Sequence, residues 1–243
     1  MKKAPSISVV IATYNGERYI YQQMQSILSQ VGADAEIIVT DNGSFDNTIN
    51  IIAALKDERV KIMQYAKTKS VKDNFENGLM HAQGDMIFLS DQDDIWLPEK
   101  VKVMAEALKI YDLAVSDCKI IDAEGRVIKN SFFSFKNSGA GIIKNLVSNT
   151  YIGSCMAFKK SMLGIALPFP EDVPLHDIWL GFVGNLFFKP VFIKQALILY
   201  RRHGNNVSIT GEKSKYSLLQ KISFRYRLIK YLPMLMRRKK LMR

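Results

Sequence analysis

Asp91-Gln92-Asp93-Asp94 places three carboxylates within four residues, directly behind the apolar run Met86-Ile87-Phe88-Leu89. A strand that delivers Asp-x-Asp to its carboxyl end makes an oxygen-ligand cluster suited to a hard divalent cation such as Mg2+ or Mn2+. Such an ion keeps several waters and shares the phosphates of a nucleotide. An EF-hand loop is excluded, because its sixth position needs Gly and Trp96 stands there. Helix capping accounts for Asp94, ahead of a helix opened by Pro98, and leaves Asp91 and Asp93 unexplained.

Four other stretches carry candidate chemistry. Val9-Val10-Ile11-Ala12-Thr13-Tyr14-Asn15-Gly16 is a buried strand ending in polar residues. In open α/β sheets ligands sit beyond such ends, so Thr13, Tyr14 and Asn15 face a nucleotide or form a plain strand-to-helix turn. Asp41, ahead of the Asn42-Gly43-Ser44 turn, either accepts the N3–H of uracil or thymine or closes an Asx turn. Asp46 reads as the N-cap of the next helix. In Pro174-Leu175-His176-Asp177-Ile178-Trp179, Asp177 starts a helix and is either a cap or a functional carboxylate near the positive dipole end. Tyr200-Arg201-Arg202-His203-Gly204-Asn205-Asn206-Val207-Ser208 sets two arginines and an imidazole before a turn. They suit a diphosphate and its metal, or form a solvated basic turn.

Positioning these residues requires an α/β scaffold. Short β-rich runs at Ile7 to Thr13, Ala35 to Thr40, Val60 to Tyr65 and Asp85 to Ser90 alternate with helical patterns. The helices are expected over Glu17 to Gln30, with Tyr21, Met24, Ile27 and Leu28 on one face, and over Asn47 to Leu55, Val71 to Ala82 and Glu99 to Tyr111. That alternation predicts a mostly parallel sheet flanked by helices. Past residue 112 the pattern loosens to α+β, closing on a helix at Asp177 to Phe188 and a strand at Val191 to Tyr200.

A composition of 48% hydrophobic and 23% charged residues excludes wholesale disorder. Cys118 and Cys155 stand far apart without a CxxC pair, which argues against a disulfide framework or zinc site and for a reducing, cytoplasmic setting. The N-terminus lacks the features of a secretory leader, and no apolar run approaches the ~20 residues of a spanning helix. The net charge of +11 is concentrated: residues 213–243 hold 11 Lys and Arg and no acid, whereas residues 1–212 are balanced. The chain thus divides into a body, 1–212, and a basic amphipathic tail, 213–243. Leu218, Leu219, Ile222, Phe224, Leu228, Ile229 and Leu232 interleave with the cations, a pattern suited to an anionic membrane surface, to packing on the body or to a partner. Nucleic acid is not expected, since the charge sits at one end and outside any recognised binding module.

Taken in order, SVVIATYNGERYI, EIIVTDNGSFDNT, VKDNFENGLMHAQGDMIFLSDQDDIWLPEK, PLHDIWL and YRRHGNNVS resemble the bacterial family-2-type glycosyltransferases of GT-A fold, in their rhamnosyltransferase-like branch. The resemblance covers about residues 6 to 210. It implies a single GT-A domain in which Thr13, Tyr14, Asn15 and Asp41 hold the nucleoside of a nucleotide-sugar donor. Asp91 and Asp93 become the metal-side pair, with Asp93 the direct ligand of Mn2+ or Mg2+. His203 adds to the metal or diphosphate site, Arg201 and Arg202 meet the diphosphate, and Asp177 is the catalytic base. Two departures stand out: Asp41-Asn42 replaces the family's usual paired Asp, and Arg201-Arg202 stands where Gln often precedes His.

The chemistry then expected is an inverting transfer from a donor such as dTDP-L-rhamnose or a UDP-hexose. The acceptor would be a saccharide or lipid-linked saccharide in surface polysaccharide assembly, with the protein peripheral on the inner face of the membrane. A metal neutralises the departing diphosphate, a base activates the acceptor hydroxyl, and no second carboxylate suits a covalent intermediate. Two alternatives remain at this level: a sugar-nucleotide pyrophosphorylase, which would want a Gly- and Arg/Lys-rich loop where Tyr14-Asn15-Gly16-Glu17 stands, and a catalytically silent membrane scaffold.

Overall fold

The four early strands form within one residue of their expected limits, because each is a short apolar run cut off by turn residues: β1 (Ile7–Thr13), β2 (Glu36–Asp41), β3 (Val60–Gln64) and β4 (Met86–Asp91). The structure, a computed structural model, describes residues 6–65, 70–147, 149–173, 175–204 and 218–242. Pro174, the Asn205 to Ser208 turn and residues 213–217 of the tail lie outside the described residues.

Between the strands run α1 (Ile20–Leu28), α2 (Thr48–Ala54) and α3 (Val71–His81). In α1 the buried face is Ile20, Gln23, Met24 and Ile27, while Tyr21, expected on that face, is exposed. The stripe is set one residue earlier, so that Ile20 meets the sheet and Gln23 reaches Ser90. On α3 Phe75 and Leu79 are buried as their spacing requires.

The chain continues through β5 (Ile95–Trp96), α4 (Lys100–Ile110), β6 (Leu113–Ile121), β7 (Val127–Lys129), α5 (Phe132–Lys136), α6 (Ile142–Val147), β8 (Met156–Lys159) and α7 (Leu163–Ala166). It then forms α8 (His176–Phe187), β9 (Pro190–Arg201), α9 (Leu218–Ile229) and α10 (Leu232–Leu241). One correction concerns Pro98, expected to open a helix, and the two residues before Leu97. Ile95 and Trp96 instead pair with Leu199 and Ile198 of β9, and α4 starts at Lys100 after Glu99 turns left-handed at φ 73°. Pro98 therefore precedes the helix and does not sit in its first turn.

The sheet order is β3-β2-β1-β4-β8-β6-β9-β5, with β7 on β6. The first four strands are parallel neighbours, β6 pairs parallel with β9, and β8 joins the halves antiparallel to both β4 and β6. The chain is thus an α/β fold with a mostly parallel, curled sheet flanked by helices. Register sets which strand ends coincide: Thr13 lies opposite Asp41, and Ala12 opposite Asp91. Three strands therefore end level, β1 between β2 and β4, at the crevice where such sheets bind ligands.

The basic tail packs on the body. Leu228 and Leu235 join the core, and Tyr231 meets Trp179 edge-on with ring centroids 6.0 Å apart. Its cations hold body groups: Arg225 donates to the carbonyls of Leu146 and Val147, Lys230 pairs with Asp172, and Arg238 donates to Ile165 O at 3.0 Å and Pro168 O at 3.1 Å. Its apolar side chains thus belong to the same core as the body, the packing alternative of the sequence pattern. Ile222, Tyr226, Ile229 and Met236 remain exposed on the outer side.

Candidate active site

A cavity of about 620 Å3 opens at the carboxyl ends of β1 and β4. It brings together Thr13, Tyr14, Asn15, Asp91, Asp93, Asp177 and His203 from the sequence-predicted set, and adds Asn42, Asn74, Gln92, Gly153 and His176.

The β1 tip is built by local polar chemistry. Asn15 holds a left-handed φ of 48°, its Oδ1 accepts from Phe45 N at 3.0 Å, and its own N–H donates to Ser44 Oγ at 2.9 Å. Tyr14 is 37% exposed at the rim and meets Phe45 edge-on. That leaves an aromatic surface on which a base can stack. Gln92, between two acids of the DQDD stretch, is bonded to the Tyr14 backbone.

Asp41 does not reach the cavity. It is 1% exposed, and its carboxylate accepts from Thr13 Oγ1 at 2.9 Å, Gly43 N at 3.1 Å, Ser44 N at 2.7 Å and Ser44 Oγ at 2.5 Å. That is the Asx turn, with Gly43 at φ 80° closing it, so the carboxylate is taken by the loop's own donors. The neighbouring Asn42 lines the cavity instead, and its Oδ1 is buried without a hydrogen-bond partner among the described residues. Asn74 of α3 repeats the pattern. Its Nδ2 donates to Thr13 O at 3.3 Å and Thr40 O at 2.9 Å, while its Oδ1 has no partner among the described residues. Asp46 is structural, accepting from the Thr48 N–H and hydroxyl at the start of α2, although Asn47 and not Asp46 occupies the N-cap position.

The acid cluster divides by depth. Asp91, at the end of β4, is pushed up to about 8 by burial and by the negative charges of Asp93 and Asp177. Such mutual repulsion is what a cation or a proton relieves. Asp93 Oδ2 lies 2.6 Å from His203 Nε2, and the His203 ring stacks on Tyr19 at 5.3 Å. Asp94 points inward and is held well above the ordinary carboxylate range by burial, then by Asp93 and Asp91. Its Oδ1 accepts from Arg201 N at 2.9 Å, so it braces β9 and caps no helix. Beneath it Lys100 is buried, donating to Ser154 O at 3.1 Å, and burial lowers its ammonium to about 8.

Arg201 differs most from expectation. It is 4% exposed and outside the cavity wall; its Nε donates to Asp93 O at 2.9 Å, Nη1 to Ala123 O at 3.1 Å and Nη2 to Gln22 Oε1 at 3.1 Å. A guanidinium with its donors on protein oxygens is a strut, not a diphosphate clamp. Arg202, whose N–H donates to Ile121 O at 2.8 Å, also lies outside the wall.

Asp177 stands in the first turn of α8, with its Oδ1 accepting from Ile178 N at 2.6 Å and the Gly153 backbone favouring its ionised form. Burial raises it to about 6 against the lowering effect of those backbone groups. A carboxylate so placed ionises near neutrality and suits a general base. His176 beside it was not singled out by the sequence, although it directly precedes the proposed base. Among the described residues no three metal-ligating side chains converge on one point. Asp93 and His203 supply one carboxylate and one imidazole, a partial set that fits Mn2+ or Mg2+ when phosphate oxygens and water complete it.

Known proteins resemble the chain in both sequence and fold. The family model for glycosyl transferase family 2 matches residues 8–164. An Escherichia coli protein, UDP-Glc:alpha-D-GlcNAc-diphosphoundecaprenol beta-1,3-glucosyltransferase WfaP, is 35% identical over 205 residues, 83% of this chain and 79% of its own. The dTDP-rhamnosyl transferase RfbG of Shigella flexneri is 28% identical over 81% of this chain and 72% of its own. In three dimensions the mannosyltransferase PcManGT from Pyrobaculum calidifontis, solved with GDP-Man and Mn2+, superposes with a TM-score of 0.64 at 16% identity, over 96% of this chain and 69% of its own. Other curated relatives are matched over less of their length, 66% for a Nostoc protein and 47% for a Bacillus subtilis one, so the chain spans less than two thirds of those proteins.

Proposed function

Because the chain belongs to glycosyl transferase family 2, we propose that it moves one sugar from a nucleoside diphosphate donor to a saccharide or lipid-linked saccharide acceptor, with inversion at the anomeric carbon. The observation that carries this reading is the meeting of Asp91, Asp93 and Asp177 around one cavity at the strand ends, beside Tyr14 and the amide oxygens of Asn42 and Asn74, which have no partner among the described residues.

Each wall then has a task. Tyr14 offers a face to the base, and the Asn42 and Asn74 oxygens accept hydrogen bonds from the nucleoside. Asp93 and His203, together with Asp91, are the residues that would hold Mn2+ or Mg2+ against the diphosphate. When bound, such an ion neutralises charge that develops on the leaving group. Asp177 accepts the proton of the acceptor hydroxyl as its oxygen attacks, and the anomeric bond to the diphosphate breaks on the opposite face. The displacement is single, since among the described residues no other cavity carboxylate stands apart from the diphosphate site to serve as a covalent nucleophile.

The relatives support both candidate donors, dTDP-L-rhamnose and UDP-glucose, and one names a diphosphoundecaprenol acceptor. A lipid-linked acceptor suits attachment to the inner, anionic face of a membrane. The exposed Ile222, Tyr226, Ile229 and Met236 with their neighbouring cations form the surface for it. No helix of the described residues is long and apolar enough to cross a membrane.

The test is a thermal-shift and transfer screen of UDP-, dTDP- and GDP-sugars with Mn2+, since a ligand selective for the folded state raises its stability. One nucleotide sugar should stabilise the chain and be consumed in the presence of a glycan acceptor. Stabilisation without any transfer, for the wild type and Asp177→Asn alike, would favour a silent scaffold.

A further inference from the structure

His176 is 5% exposed in the cavity wall, and neither of its ring nitrogens has a hydrogen-bond partner among the described residues. The ring lies on Phe75, with centroids 3.9 Å apart and planes at 28°, and its Nε2 packs against Gly153 where any Cβ would collide with it. Stacking and that close approach need only a flat ring. Each nitrogen has under 1 Å2 open to solvent and no partner among the described residues, a state that buried polar atoms of native proteins ordinarily avoid, so a group bound in the cavity must draw the ring toward it to bond either one.

Chemistry and position together select the occupant. Burial holds the imidazole down to about 3, so at neutral pH it is uncharged, with one N–H donor and one bare nitrogen acceptor. A phosphate calls for cationic donors, whereas a hydroxyl, itself both donor and acceptor, matches a neutral imidazole. The nucleoside end of the cavity is marked by Tyr14, Asn42 and Asn74 and the diphosphate by Asp91 and Asp93, while His176 adjoins Asp177 on α8. Between diphosphate and base lies the sugar being transferred.

We propose that His176 is a sugar-reading residue: held between Phe75 and Gly153 beside Asp177, its imidazole exchanges a hydrogen bond with one hydroxyl of the donor sugar and so helps select the donor. The inference rests on the glycosyltransferase reading above and adds the residue that reads the sugar.

Calorimetric titration of the full chain with Mn2+ tests it, using UDP and dTDP alone against UDP-glucose and dTDP-L-rhamnose. His176→Phe keeps the ring on Phe75 and removes both nitrogens. It should bind the bare nucleoside diphosphate within about twofold of wild type and lose about three- to tenfold for the nucleotide sugar, the size of one neutral hydrogen bond. His176→Gln, with an amide donor and acceptor, should recover part of that loss. Donors lacking single hydroxyls add a second measure: one deoxy position should erase the difference between wild type and His176→Phe. Equal weakening of the diphosphate and the nucleotide sugar overturns the proposal, as does a His176→Phe variant that binds both as wild type does. A wild type that binds none of UDP, dTDP and GDP nor their sugars overturns the glycosyltransferase reading and this proposal together, and the loss of bare-nucleotide binding identifies that case.

Discussion

Gln92 and Tyr14 hold each other through both ends of one amide: Gln92 Oε1 accepts from Tyr14 N at 2.8 Å, and Gln92 Nε2 donates to Tyr14 O at 3.0 Å. The residue between the two carboxylates proposed for the metal therefore fixes the aromatic wall of the proposed nucleoside subsite. Gln92→Ala should raise KM for the donor about tenfold and leave kcat within about twofold, because the lost bonds position the ground state and the transition state alike. Steady-state kinetics with varied donor decide it, and a fall in kcat at constant KM contradicts the assignment.

Asp177→Asn should lower kcat by about a hundredfold to ten-thousandfold while donor affinity stays near wild type, the range of a lost general base. In the wild type, kcat/KM should fall tenfold per pH unit below about 6, where Asp177 takes up its proton. The sign for stability is opposite. Burial favours the neutral form, so the contribution of Asp177 to stability is complete below the ordinary carboxylate range and is lost as pH rises through about 6. Asp177→Asn should then melt higher than wild type at pH 8, with the gap closing toward pH 4. Melting curves at both pH values check this.

Removal of divalent ions with a chelator should suppress turnover and weaken nucleotide-sugar binding, with recovery on adding Mn2+ or Mg2+. Asp93→Asn and His203→Ala should each require a higher Mn2+ concentration for half-maximal rate, since those two side chains meet at 2.6 Å. Full activity in metal-free buffer would remove the ion from the mechanism.

Arg201→Ala should cost about 3 kcal/mol or more of stability, measured by denaturant titration, because it strips the Asp93 and Ala123 carbonyls and the Gln22 amide of a buried donor. Lys102→Ala, which removes an exposed ion pair with Glu99, should cost far less. Similar losses for the two would contradict the strut role.

Deleting residues 213–243 should unfold or strongly destabilise the body, because Leu228 and Leu235 are part of its core. The membrane reading is better tested at the surface. Ile222→Ser combined with Tyr226→Ser should reduce co-sedimentation with anionic vesicles by about tenfold while the melting temperature stays within a few degrees. Unchanged sedimentation would point to the outer face of α9 serving something other than lipid.

Much of the fold and site was legible in the residues. β1 occupies its expected limits because strand and turn residues meet sharply at Thr13, and the paired level ends of β1, β2 and β4 come from the βαβ alternation. Asp91, Asp93, Asp177 and His203 could be expected at the cavity because each lies at or just beyond the end of a strand or in the first turn of a helix. What stayed hidden depended on partners distant in sequence. Nothing local shows that Ile95 and Trp96 pair with β9, or that Ser44 and Thr13 saturate Asp41 and leave Asn42 at the wall. A cation before a glycine turn looks the same whether it meets phosphate or, as Arg201 does, backbone carbonyls. The tail carries the same ambiguity, since an amphipathic basic helix suits both lipid and a body rich in carbonyl ends.

The Arg201 strut also bears on what counts as a unit here. The family match ends at residue 164, yet the groups that restrain Asp93 and Asp94, together with Asp177, all come from later in the chain. A swap of the matched segment between relatives would carry the acidic loop without its brace, so grafted chimaeras should fail at the metal side before they fail at nucleoside binding. Exchanges that move β9 together with β4 should keep the loop in register. The heritable part of the candidate site's geometry is therefore a contact between two distant stretches, and it travels only when both do.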